Sequence, residues 1–115
     1  MKLSFEGIGQ WAATFACDGA AEGELVKLTA NGTVGACSAG DPFCGQVLSV
    51  ARTGDACTVA LGGMVTAGYS GSAAPAIGWC ALSSDGDGGV KADSAGRAYL
   101  VVDVDTENMT VCLYL

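Results

Sequence analysis

"RAYLVVDVDTENMTVCLYL", residues 97–115, reads as two extended stretches joined by a turn. Tyr99, Val101, Asp103 and Asp105 alternate with Leu100, Val102 and Val104. A period of two is the repeat of a strand, since successive side chains of a strand point to opposite faces. Asp105 to Asn108, "DTEN", forms the hairpin loop, and "MTVCLYL" is the return strand.

The same period runs back through the chain. "WAATFAC" sets Trp11, Ala13, Phe15 and Cys17 on one face. "ELVKLTA" alternates Leu25, Lys27 and Thr29 against Val26, Leu28 and Ala30. The dipeptide Asn31-Gly32 follows, a favoured two-residue hairpin turn because both positions tolerate positive φ. "TVGAC" pairs back on that strand; "FCGQVLSVAR" and "CTVALGG" flank the turn "TGDA", and "MVTAGY" is a further extended piece. Residues 70–78, "SGSAAPAIG", form a long loop with room for one helical turn. "WCALSS" and "GVKAD" are strands on either side of Asp85 to Gly89, with Trp79 expected to be buried in "IGWCAL". No window carries a helical period. Strands recurring every 8–12 residues with turn signals between them are the mark of a sandwich or barrel.

The expected fold is therefore all-β: a small single-domain β-barrel or sandwich of short antiparallel strands with hairpin turns. Residues 1–19 are read as an N-terminal arm or first strand, and residues 20–115 as the barrel or sandwich domain. There is no exact internal repeat; the halves share only a loose order of strand, Gly-Asp turn and strand. A chain of 115 residues buries roughly two-thirds of its unfolded surface, enough for one core and not two.

Charge and composition narrow the function. Twelve acidic residues face five basic ones, a net charge of −7. Lys2, Lys27, Arg52, Lys91 and Arg97 cannot assemble a basic patch, so nucleic acid and anionic membrane surfaces are not expected partners. "MKLSFEGIGQWAATFA" is broken by Glu6, Gly7, Gly9 and Gln10 and is not read as a signal peptide. Folding in a reducing cytosol follows. There Cys17, Cys37, Cys44, Cys57, Cys80 and Cys112 act as small, mostly buried hydrophobes.

No motif supports catalysis. The chain has no histidine, which excludes Ser–His–Asp and Cys–His arrangements. "GYSGS", residues 68–72, lacks the final glycine of a nucleophile elbow. "DGDGGVKADSAG" fits a calcium EF loop at Asp85 and Asp87 and fails at Gly89, Val90 and Gly96, so it is read as a hairpin loop. Asp103 and Asp105 are read as a solvated strand face. Neither an enzyme nor a bound cofactor or metal is expected.

"GELVKLTANGTVGACSAGDPFCGQVLSV" (23–50), "TVALGGMVTAGYSG" (58–71) and "APAIGWCALSSDGDGGVKADSAGRAYLVVDVDTENMTVCLYL" (74–115) together resemble the capsid cement, or head decoration, proteins of tailed phages and prophages. The resemblance rests on short strand pieces, the "DG…GGV" turn and the closing hairpin, and covers roughly residues 20–115. It implies a protein made in the bacterial host cytoplasm that stabilises the head from the capsid exterior. It also implies the major capsid protein as partner, a homotrimer, and no active site. Such proteins often touch the lattice through the N-terminal segment, where Phe5, Ile8, Trp11 and Phe15 are the matching positions. The alternative is a β-sandwich ligand-binding module, for example for carbohydrate, which needs aromatics exposed in a row. Trp11, Trp79, Tyr69 and Tyr99 are the candidates.

Overall fold

The computed structural model describes residues 10–71 and 73–115. These residues form ten strands and no helix, so the all-β reading holds. In chain order they are β1 (Trp11–Asp18), β2 (Leu25–Ala30), β3 (Thr33–Ala36), β4 (Gly45–Val50), β5 (Ala56–Gly62), β6 (Met64–Gly68), β7 (Gly78–Ser84), β8 (Val90–Ala92), β9 (Arg97–Asp105) and β10 (Thr110–Tyr114). The described part of the 70–78 loop contains no helical turn. Asn31-Gly32 does make the β2–β3 turn, but only Gly32 takes positive φ, at 61°. A bulge between Leu28 and Ala30 absorbs the difference.

The first five strands close into a barrel in the order β1-β3-β2-β4-β5. All neighbours are antiparallel except β1 and β3. The last five form a sheet in the order β6-β10-β9-β7-β8. A single parallel bridge, Tyr69 to Val90, joins its two edges. Read cyclically from β6 this is β6-β8-β7-β9-β10, the order of the first barrel with every label advanced by five, and with the parallel contact at the corresponding place.

Register extends the match. Thr14 opposes Thr58 and Ala12 opposes Ala60; Thr66 opposes Cys112 and Met64 opposes Tyr114. The bulge that skips Leu48 in β4 recurs in β9, where it skips Val102. Cys17 pairs with Val34 as Tyr69 pairs with Val90, and both valines have no exposed surface. In sequence, "GTVGACSAG" (32–40) and "GGVKADSAG" (88–96) share Gly, Val, Ala, Ser, Ala and Gly. The halves are thus two copies of one five-strand topology, fused at Gly63, whose φ of 97° only glycine adopts readily.

Buried apolar residues divide into two clusters, where one core was expected. The smaller fills the first barrel with Ala20, Val26, Val34, Val47, Cys57 and Val59. The larger combines residues of the second sheet, such as Val65, Leu82, Val101 and Leu113, with Leu25, Cys37, Phe43 and Ala60 of the first half. The two halves are therefore welded: each alone is too short to bury an adequate core, and the shared cluster supplies the rest. Phe43 stacks on Tyr99 with ring centroids 4.9 Å apart. Gln46 Nε2 donates to the Gly23 and Thr66 carbonyls at 3.1 and 2.7 Å. Strand β2 lies between the two clusters, which is why the adjacent residues Leu25 and Val26 are both fully buried.

Candidate functional site

The Asp85 loop is held by its own side chain. Asp85 Oδ1 accepts the Asp87 and Gly89 amides at 2.7 and 3.0 Å. Its Oδ2 accepts the Ser70 hydroxyl at 2.7 Å. Gly86 and Gly88 take φ of 86° and 87°, the left-handed values that glycine tolerates. Oδ1 thus builds the turn, as the reading of a hairpin loop anticipated, and Oδ2 ties it to Ser70. Together with Glu22, Glu24, Tyr69 and Asp87, this loop borders an open cleft of about 410 Å³. Among the described residues, no three His, Cys, Asp or Glu side chains gather as a metal-holding group.

Four of the thiols, Cys37, Cys44, Cys57 and Cys112, are set against nucleophilic chemistry. Burial pushes Cys37, Cys44 and Cys112 up from the ordinary thiol value. Burial and the neighbouring Cys17 raise Cys57 to about 11. A reactive cysteine needs the opposite shift. All six thiols are free, with Cys37, Cys57 and Cys112 buried and the other three half-buried.

Of the four expected contact residues, Phe5 and Ile8 lie outside the described residues. Trp11 is 75% exposed, and its side chain lies against Gly62, where an added Cβ would sit 3.6–3.9 Å from it. A bulge between Trp11 and Ala12 removes Trp11 from the strand's alternation. Phe15 is half-buried and packs on the smaller cluster, so Trp11 and Phe15 do not form one patch.

The largest departure from expectation is at β7. Trp79, read as buried, is 73% exposed. Tyr69 and Tyr99, read as candidates for exposure, are buried. Trp79 stands opposite Leu100, Leu100 opposite Tyr114, and Tyr114 opposite Met64. Residues directly opposite on neighbouring strands share a face. Met64, Tyr114, Leu100 and Trp79 therefore form one lateral row across β6, β10, β9 and β7, with Trp79 and Tyr114 about 10 Å apart at two strand spacings. Tyr114 is half-exposed, while Leu100 and Met64 are partly covered. Flanking positions on this face are Thr66, Cys112 and Asp103 on one side, and Ala81 and Ala98 on the other. Asp103 is the only charge among them.

The sequence signals for this row were present but undirected. "IGWCAL" and "VCLYL" are apolar at every position, so a period of two cannot say which residue faces in. The partner strand decides: Tyr99 and Val101 face the core, which turns Leu100, and with it Trp79 and Tyr114, outward. A scan against protein-family models found no match for this chain, and no curated protein is significantly similar to it.

Proposed function

We propose that this chain is a structural protein of a tailed phage or prophage that binds the outside of the capsid as a cement or decoration protein. The observation that carries the reading is Trp11. It is a large aromatic, three-quarters exposed, seated on a backbone glycine where the N-terminal segment enters the first barrel. Exposed tryptophans of this kind are favoured anchors at protein interfaces. The resemblance of residues 20–115 to cement proteins supports the same reading. So do Cys37, Cys44, Cys57 and Cys112, whose burial favours the protonated thiol, and acids engaged in building turns.

A second reading, a carbohydrate-binding module, is favoured by Trp79 and Tyr114 exposed on one face. Sugar sites also need placed polar groups that orient the ring. Next to this row stand only Thr66 and Asp103, so the capsid reading is preferred. The test is co-sedimentation with expanded heads built from the major capsid protein of the same genome. Saturable binding by the wild-type chain, lost in Trp11→Ala with the fold intact, is the expected result. No binding at any salt concentration, or full binding by Trp11→Ala, contradicts the reading.

A further inference from the structure

The internal duplication gives the exposed row a counterpart. In the first half, the positions matching Met64, Tyr114 and Leu100 in sheet register are Ala12, Ala60 and Gln46, and Leu25 matches Trp79 by its pairing with β4; the β2–β3 pairing is offset by two residues from that of β7–β8 and sets Leu25 against Ala81, on the same face as Trp79. Three of these four are buried by the second half. Leu25 and Ala60 belong to the cluster shared between the halves, and Gln46 is bonded to the Thr66 carbonyl of β6. The same row of the same topology is thus an interior contact in one half and an open face in the other. Its composition has changed accordingly. Ala60, Gln46 and Leu25 let the halves close on each other, whereas Trp79 and Tyr114 project into solvent beside the partly covered Met64 and Leu100.

From this we infer that the row Met64–Tyr114–Leu100–Trp79 is the surface on which a second copy of this chain docks. The relation already built into the chain, a five-strand unit covering this row of its twin, makes another unit of the same kind the fitting occupant. Charge is compatible with the same place. Two bodies of net charge −7 repel each other, while the row itself holds no charged side chain and Asp103 is the one carboxylate at its immediate flanking positions. Trp and Tyr are also the residues that most often carry the binding energy of an interface. The inference does not depend on the capsid reading. A monomeric chain that still saturates heads would preserve that reading and overturn this one, and an associating chain that ignores heads would do the reverse.

Sedimentation equilibrium of the full chain tests it, comparing wild type with the double variant Trp79→Glu/Tyr114→Glu and with Leu28→Glu. Leu28 is exposed on the first half, away from the row. Circular dichroism and urea midpoints check that all three fold alike. The wild type is expected to self-associate, the double variant to do so at least tenfold more weakly, and Leu28→Glu to match wild type. A monomeric wild type overturns the inference, as does a double variant that associates normally or a Leu28→Glu chain that loses association equally. A wild type that stays monomeric while an oligosaccharide shifts its tryptophan fluorescence would assign the row to sugar, and overturns it too.

Discussion

The two halves of this chain share strand order, the place of a bulge and their register except where β2 meets β3 and β7 meets β8, yet they end differently. The first closes on itself: β1 and β3 pair at three positions, and the interior is filled by its own small residues. The second is joined edge to edge at one bridge and completes its core by borrowing Leu25, Phe43 and Ala60 from the first. One topology therefore yields a barrel whose interior its own side chains fill and one whose interior its neighbour completes. The difference lies in what covers the β2/β4/β5 row and its β7/β9/β10 counterpart. A duplicated unit leaves one such face over, and here that face is apolar.

The largest effect expected from this comparison sets Leu25 against Trp79, its counterpart across the register. Leu25→Ala removes a fully buried side chain from the shared cluster and should cost about 2–5 kcal/mol in urea unfolding. Trp79→Ala should stay within about 0.5 kcal/mol for the isolated chain, as surface changes usually do. Equal costs would mean that the two rows are not differently covered.

The second closure is the next target. A Cβ on Gly89 would run into the Gly68 carbonyl and the Asp85 carboxylate, forcing β6 and β8 apart. Gly89→Ala should cost about 1–3 kcal/mol through overpacking. The matching position of the first half already holds a side chain, Thr33 opposite Ala16, and Thr33→Ala should cost less. Gln46→Leu, which installs the second half's residue in the first, leaves the Gly23 and Thr66 carbonyls without their donor and should cost about 1–3 kcal/mol. A neutral result would show that these hydrogen bonds do not hold the halves together.

Much of this was legible in sequence, and the limits have physical causes. Alternation located the strands, and glycine with aspartate located the turns, because both are local properties of the chain. Facing was not local. β2 has two buried faces, and β7 is apolar at successive positions, so only the partner strands decide that Leu25 turns in and Trp79 out. The duplication was hidden for a related reason. Two β-units retain the same pairing while most side chains change, and only the nine-residue stretches at 32–40 and 88–96 keep visible identity. Tyr114 carries no local signal of exposure, because its facing depends on lying opposite Leu100.

The smallest expected effects come from pH, and they differ in sign between acids and thiols. The Lys27 ammonium, 2.6 Å away, and the Ser38 amide hold the Asp41 carboxyl below its usual value. The Ala95 amide and Ser83 hydroxyl do the same for Asp93, and Asn108 does so for Asp105. Depressed carboxylates contribute stability above the unfolded value of about 3.9, and lose it as pH falls through their folded values. The denaturation midpoint should therefore drop below about pH 4. Thiols raised by burial contribute below their unfolded value and lose it on the alkaline side, with Cys57 completing its loss near the value of about 11. Cys57→Ala should flatten the alkaline fall. A fall identical to that of the wild type would place the alkaline transition elsewhere.

The asymmetry of the two rows can be read most directly from a single tryptophan. Trp11→Phe leaves Trp79 as the only tryptophan of the chain. Its acrylamide quenching, followed from dilute to concentrated solution, reports whether the open row becomes covered. Strong quenching when dilute, falling as the chain is concentrated, is the expected result. Weak quenching when dilute would mean that the row is already buried in the monomer. Strong quenching at every concentration would mean that no second copy covers it, and either result contradicts a face left open for one.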